Sequence, residues 1–400
     1  MSRMSYMEKL LDGVKVEWTT LGDEIFVEIA NSRRKPVESS LRISGKVPYY
    51  GANNIQDYVE GYTHDGDFVL IAEDGSASVE NYSIQYANGK FWANNHVHVV
   101  RGKSGLYTRF LYHYLQTVNF KPYLMGSGRA KLTKGKMLEI PIPIPCPENP
   151  AKSLEIQGEI VRILDAFTEL TAELTAELTA RKKQYSYYRD QLLRFEKGEV
   201  EWKTLGEVAL DFGRGKSKHR PRNDERLYGG DIPFIQTGDI RNASHVILKY
   251  NQTYSEFGLQ QSKLWPKGTL CITIAANIAE TSILGFDACF PDSVIGFVAN
   301  PEKTSSSYVE YLLSSVKTKL EEKGQGSAQS NINLGTFENL KLPFPPLAEQ
   351  ERIVAILDKF EALTNSISEG LPREIALRQQ QYEYYRDLLF SFPKPEQAEA

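Results

Sequence analysis

Apolar residues recur at steps of three and four along two long stretches of the chain. The first runs Ile156, Ile160, Ile163, Phe167, Leu170, Leu174, Leu178, Tyr185, Tyr188, Leu192 and Phe195. That is a heptad seam with one stutter, the pattern of a long helix that packs on a partner helix. Pro150 and Ser153 stand at its start, and no glycine interrupts it between Gly158 and Gly198, so a helix is expected over 149–197. Within it the tetrapeptide Thr-Ala-Glu-Leu occurs twice in tandem, at 171–178. Leu170, Leu174 and Leu178 continue the seam, and Glu169, Glu173 and Glu177 are expected to face water, with Glu177 four residues before Arg181 in the favourable order. The second stretch, 346–392, carries Ile353, Ile356, Phe360, Leu363 and Ile367, breaks at Gly370-Leu371-Pro372, and resumes at Ile375, Tyr382, Tyr385 and Leu389. Two such seams predict an antiparallel coiled-coil pair.

Elsewhere the period falls to two. Ser83-Ile84-Gln85-Tyr86 and Val97-His98-Val99-Val100 alternate as half-buried strands do. Phe68–Ile71 and Leu270–Thr273 are short apolar runs of the same kind. These runs lie in two globular stretches, 1–148 and 198–345, ahead of each seam, with 393–400 left as a tail. The expected fold class is α+β: two α/β units separated by two long antiparallel helices, with a pseudo-twofold internal repeat.

The repeat is written in the letters. Val16-Glu17-Trp18-Thr19-Thr20-Leu21-Gly22 returns as Val200-Glu201-Trp202-Lys203-Thr204-Leu205-Gly206. Ile160-Val161-Arg162-Ile163-Leu164-Asp165-Ala166-Phe167 returns as Ile353-Val354-Ala355-Ile356-Leu357-Asp358-Lys359-Phe360, and Tyr187-Tyr188-Arg189-Asp190 as Tyr384-Tyr385-Arg386-Asp387. Between these blocks, 23–140 and 207–340 share little. Uniform drift after duplication would spread differences evenly; here the connectors agree and the globules do not. That distribution suits one shared scaffold carrying two different readers.

Composition adds limits rather than identity. An apolar share of 41% and a charged share of 24% are those of a globular protein, and a net charge of -4 confines any nucleic-acid surface to local patches. Cys146, Cys271 and Cys289 lack metal-ligand spacing. With no apolar leader at the start, they suggest a cytoplasmic, reducing setting. The chain has no Asn/Asp-Pro-Pro-aromatic motif of an adenine methyltransferase, and Leu210 replaces the glycine that a phosphate loop ending in Gly215-Lys216-Ser217 requires. Pro291-Asp292 with Glu321-Glu322-Lys323 has only the letters of a metal-dependent nuclease core. His96 and His98 are expected to be satisfied histidines rather than metal ligands.

Binding signals are better. NSRRKP carries Arg33, Arg34 and Lys35; GSGRAKLTKGK carries Arg129, Lys131 and Lys134; GRGKSKHRPR carries Arg214, Lys216, Lys218, Arg220 and Arg222; none of these segments contains an acid. Each is read as a basic loop on a globule, placed to touch DNA phosphates or base edges.

Taken together, the start KLLDGVKVEW, the run IPIPCPENPAKSLEIQGEIVRILDAF, the block RKKQYSYYRDQLL, the junction EVEWKTLGE, the stretch GSAQSNINLGTFENLKLPFPPLAEQ and the block ILDKFEALTNSISEGLPREIALRQQQYEYYRDLLFSFPKPE resemble the specificity subunits of type I restriction-modification systems. The likeness is greatest to the type IC subclass, with TAEL repeats in the central helix. The resemblance implies a target-recognition domain 1 at 1–148 and a central conserved helix and spacer at 149–197. It implies a target-recognition domain 2 at 198–345 and a C-terminal conserved helix at 346–392. It implies double-stranded DNA and two methyltransferase subunits as partners, with restriction/translocase subunits joining through the complex. Neither catalysis nor a cofactor is expected on this chain; S-adenosylmethionine, ATP and Mg are expected on the partners. Because Tyr6–Trp18 resembles Tyr188–Trp202, the chain ends are expected to meet beside the helix pair. The alternative reading is a nuclease or nuclease-methylase component with its own metal site.

Overall fold

The computed structural model describes residues 10–11, 13–126, 130–196, 198–243, 245–274, 279–325, 334–366 and 369–393. They form two compact units, one from the described residues of 1–173 with 376–400, the other from those of 174–375.

Unit 1 contains β1 (Val16–Thr20), β2 (Val27–Ile29), β3 (Ser44–Tyr50), β4 (Ile55–Val59), β5 (His64–Asp65), β6 (Phe68–Ala72), β7 (Ile84–Ala87), β8 (Lys90–Ala93), β9 (Val97–Gly102) and β10 (Pro141–Pro145). They pair in the orders β2-β9-β6-β7, β4-β3-β8-β5 and β1-β10. The four expected strand runs are all strands, and β6 is buried at every residue. Helix α1 (Thr108–Leu115) covers one sheet with Phe110, Leu111 and Leu115. Helix α2 (Pro150–Leu192) then runs 43 residues without a break. At ~1.5 Å per residue it is about 65 Å long. Asn149 caps it, its Oδ1 accepting from the Lys152 N–H at 3.2 Å, with Pro150 just inside.

Unit 2 contains β11 (Glu201–Thr204), β12 (Ala209–Arg214), β13 (Tyr228–Phe234), helix α3 (Thr237–Asn242), β14 (Val246–Ile247), β15 (Gln252–Tyr254), β16 (Leu270–Thr273), β17 (Thr281–Leu284), β18 (Val294–Ala299), helix α4 (Ser306–Gln325), β19 (Lys341–Phe344) and helix α5 (Leu347–Asn365). Its strands form one sheet, β12-β18-β16-β17-β14, and two pairs, β13-β15 and β11-β19. Helix α6 (Gly370–Leu389) begins in unit 2 and continues in unit 1. The break between α5 and α6 precedes Gly370 rather than following it, and Pro372 falls in the first turn of α6, where its missing N–H costs nothing. Gly370 takes a φ of +73°, and a Cβ there would lie 2.4 Å from the Ala362 carbonyl oxygen, so glycine alone suits the corner. Ile367 lies outside the described residues.

The compact units divide the chain inside α2 and α6, so each comprises a globule and the helical segments that pack with it. In unit 1, Phe167 stacks on Tyr385 at 5.3 Å between ring centres. In unit 2, Phe360 stacks on Tyr188 at 5.7 Å. The two pairs join equivalent residues of the repeat, with the halves exchanged. Their order along α2 and along α5 and α6 is that of the expected antiparallel pair.

The expected seam is seen with one addition. Leu170, Leu174 and Leu178 are half-buried, Glu169, Glu173 and Glu177 are exposed, and Glu177 pairs with Arg181 at 2.7 Å. At its start α2 buries a wider face, with Ser153, Gln157 and Leu164 beside the seam residues Ile156 and Ile160, in unit 1. Leu164 belongs to that face, which a pure heptad reading missed. Described residues near both ends meet within unit 1: the Trp18 indole N–H donates to the Pro393 carbonyl at 2.7 Å, and Leu389, Phe390 and Phe392 enter its core. In unit 2 the end of α2 fills the same role with Leu192, Leu193 and Phe195.

Candidate nucleic-acid interface

The expected basic residues are held more firmly than loop character suggests. Arg33 ends a short 3-10 turn, Lys134 opens a five-residue helix capped by Thr133, and Arg214 ends β12. Arg34 points inward. Its guanidinium meets Glu73 at 2.6 Å and the Val97 carbonyl at 2.8 Å, and Lys131 meets the other Glu73 oxygen at 3.1 Å. Burial pulls the Glu73 carboxyl up, but the bonds from Arg34 and Lys131 outweigh it and hold it below the usual range. Arg34 is therefore a structural cation of unit 1. Arg33, Lys35 and Lys134 are exposed. Arg129, Ser127 and Gly128, with the equivalent 326–333 segment, lie outside the described residues.

In unit 2 the 215–222 segment is an ordered loop. Gly215 passes so close to Phe290 that a Cβ would lie 2.3 Å from its carbonyl oxygen. Ser262 Oγ donates to the Lys216 carbonyl at 2.8 Å, the His219 N–H to Gln261 Oε1 at 3.0 Å, and Arg220 to the Ser217 carbonyl at 2.7 Å. Lys216 and Lys218 are exposed on this frame. Arg222 pairs with the Asp292 carboxylate at 2.9 Å, and Arg214 donates to the Asp292 carbonyl at 2.6 Å. Asp292, a member of the suggested nuclease letters, thus serves to fix two arginines. The side chains of Glu321, Glu322 and Lys323 lie outside the described residues. His98 is buried and bonded to the Leu132 carbonyl at 2.8 Å, and His96 to Asp74 at 2.6 Å.

Exposed amides of unit 2 stand outside the basic segments. The antiparallel pair β13–β15 stands apart from the main sheet of unit 2 as a two-stranded ribbon. The exposed Leu248, Lys249, Tyr250 and Asn251 lead into β15, whose first residue Gln252 is exposed, and Gln236 and Arg241 are also exposed. The Gln236 amide donates to Gln252 Oε1. Asp239, nearly buried, accepts from the Gln236 backbone N–H at 2.9 Å and from the Asn251 amide at 2.7 Å. The basic loop adjoins the ribbon, since Tyr228 at the start of β13 donates its hydroxyl proton to the Arg222 carbonyl at 2.6 Å. The signal in the sequence was Gln236-Thr237-Gly238-Asp239, a helix start following a strand.

The family described as type I restriction modification DNA specificity domain matches twice, over residues 14–181 and 197–377. The chain belongs to that family. It is 49% identical to a putative type I restriction enzyme specificity subunit of Haemophilus influenzae, over 97% of this chain and 98% of that one. It is 38% identical to the EcoR124I/EcoR124II specificity subunit of Escherichia coli, over 99% of each. The type I S subunit of M. genitalium, at 14% identity and a TM-score of 0.58 over 96% of this chain and 98% of that one, shares the fold. This type I specificity protein is a DNA-recognition subunit and leaves the chemistry to other subunits.

Proposed function

We propose that unit 1 and unit 2 each read one half of a split DNA site, and that α2, α5 and α6 dock two methyltransferase subunits, with restriction/translocase subunits joining through them in the cytoplasm. S-adenosylmethionine, ATP and Mg then belong to the partners. Arg33, Lys35, Lys134, Lys216, Lys218 and Arg220 are the proposed phosphate contacts. One observation carries the reading. Equivalent ring contacts recur in the two units, Phe167 on Tyr385 and Phe360 on Tyr188, while the sequences of 23–140 and 207–340 share little.

On this reading α2 sets the gap between half-sites. Four residues add ~6 Å of rise and, at 3.6 per turn, a net rotation of about 40°. One base pair adds ~3.4 Å and, at about 10–10.5 per turn, ~34–36°. The rotations nearly match, and a four-residue step roughly preserves the leucine seam. Deleting Thr175–Leu178 should shorten the non-specific spacer by one base pair and leave both half-sites intact. Sequencing methylated adenines in cells carrying the deletion tests this; an unaltered spacer or a changed half-site overturns the ruler.

A further inference from the structure

Resting on the reading of unit 2 as a DNA reader, we infer that Gln252, held by Gln236, reads an adenine in the half-site that unit 2 binds.

The B-DNA major groove admits a two-stranded ribbon as well as a helix, and β13–β15 is such a ribbon. Gln252 opens β15 opposite Phe234, with its side chain exposed while Phe234 is buried against Tyr254, Leu227 and Cys289. The ring of Phe234 stacks on Tyr254 at 3.9 Å, giving the ribbon a rigid base. Adenine offers an acceptor, N7, and a donor, the N6 amino group, which one carboxamide can engage together. An amide on a long flexible side chain loses that advantage unless something fixes its plane. Here Gln236 does so by donating to one lone pair of Gln252 Oε1. That bond uses one lone pair of the exposed Gln252 amide and neither of its N–H groups; a second lone pair and two donors are the set that adenine needs.

Gln236 is itself fixed, because its backbone N–H donates to Asp239, and Asp239 also accepts from Asn251, the neighbour of Gln252. The network runs from a nearly buried carboxylate to an exposed amide, so its outer end is positioned by its inner one. Lys249, three residues before Gln252, is exposed and suited to a flanking phosphate. Gln252 touches the base, and Gln236 acts only as a positioning residue.

The test uses the whole complex in cells and reads the methylated sequence. In Gln252→Glu the side chain keeps its size but loses both N–H donors, so it can no longer serve adenine N7. One position of one half-site should lose its adenine preference, on the order of ten- to a hundred-fold, the discrimination of a bidentate pair. The other half-site and the spacer should be unchanged. Gln236→Ala should relax the same position without substituting a new preference. An unchanged motif in Gln252→Glu, a change at a different position in Gln236→Ala, or an even loss at all positions would each overturn the assignment. If the wild-type gene confers no split motif at all, the underlying reading of the units fails, and that outcome is separate from a failure of Gln252.

Discussion

Gln157 in unit 1 and Gln350 in unit 2 do one job, whereas Asn53 in unit 1 and Gln252 in unit 2 do opposite ones. Gln157 is fully buried, donates to the Gly105 carbonyl at 2.8 Å and to Ser153, and accepts from the Tyr107 N–H at 2.9 Å. Gln350 is as deeply buried, donates to the Lys303 and Pro345 carbonyls at 3.0 and 2.8 Å, and accepts from the Thr304 hydroxyl at 2.8 Å. Each ties the first turns of a long helix to the loop that precedes an earlier one, α1 for Gln157 and α4 for Gln350. In the readers the amides part company. Asn53, just beyond β3, donates to the Gly75 carbonyl and accepts from the Ala77 N–H, both at 2.8 Å, and so pins a loop. Gln252 points outward. The difference has a physical cause. A buried amide with three partners cannot change without stranding them, while an exposed one can be exchanged at little cost to folding and with full effect on recognition.

The strongest test of the shared frame removes both buried amides. Gln157→Leu leaves the Tyr107 N–H and the Gly105 carbonyl unpaired, and Gln350→Leu does the same to the carbonyls of Lys303 and Pro345. At about 1–3 kcal/mol for each stranded group, each variant should lose ~3 kcal/mol, and the two losses should match. Denaturant midpoints of the two units are the measurement. A neutral result in one unit would show that the repeat keeps the letters but not the energetics.

A smaller effect separates reading cations from structural ones. Replacing Lys216, Lys218 and Arg220 by Ala should weaken DNA binding and lower the salt slope by roughly 0.9 per lost phosphate contact. Arg34→Ala should instead destabilise unit 1 with no change of slope, because Arg34 is tied to Glu73 and Val97. Equal slopes for the triple variant and the wild type would remove the 215–222 loop from the interface.

This contrast also marks how far the sequence could be read. The seam, the TAEL face and the four strand runs were legible because period and propensity are local. The repeat was legible because buried contacts hold their letters. The tie of Arg34 to Glu73 was not legible because the two lie 39 residues apart, and charge alone does not say which way a side chain turns. Gln252 was passed over because an amide carries no charge, and its importance depends on Gln236, 16 residues off across a ribbon. Strand order was hidden for the same reason: pairings such as β2 with β9 and the parallel β3 with β8 are non-local.

The smallest expected effect concerns pH, and it has opposite signs in the two units. Asp165 of α2 and Asp358 of α5 are equivalent residues with different partners. Asp165 Oδ1 bonds His113 Nε2 and Arg109 Nε, both at 2.7 Å, and His113 Nδ1 meets the Tyr382 hydroxyl at 3.0 Å. Burial pushes His113 below its ordinary 6.5, and the pull of Asp165 does not make up the difference. Asp358 accepts instead from the Tyr311 hydroxyl at 2.6 Å, and the histidine of this neighbourhood, His245, faces the buried Glu310. Burial lowers His245 too, but Glu310, with Asp358 and Glu361 behind it, more than offsets this and raises it. A histidine lowered by folding is protonated first in the unfolded chain, so unit 1 should weaken as pH falls below about 6.5. A raised histidine contributes fully below that value and loses its contribution as pH climbs through its folded pKa, so unit 2 should weaken on the alkaline side. Glu310, raised by burial, acts in the same direction as His245. Pulse proteolysis in denaturant, with peptides of each unit followed from about pH 5.5 to about pH 8, should show the two midpoints moving in opposite directions. His113→Gln should lessen the first trend, to which the buried His64 and His98, also lowered by burial, contribute in the same direction, and His245→Gln should lessen the second. Parallel trends would mean that the exchange of histidine for tyrosine beside the shared aspartate has no thermodynamic consequence, and that the frame is uniform down to its buried charges.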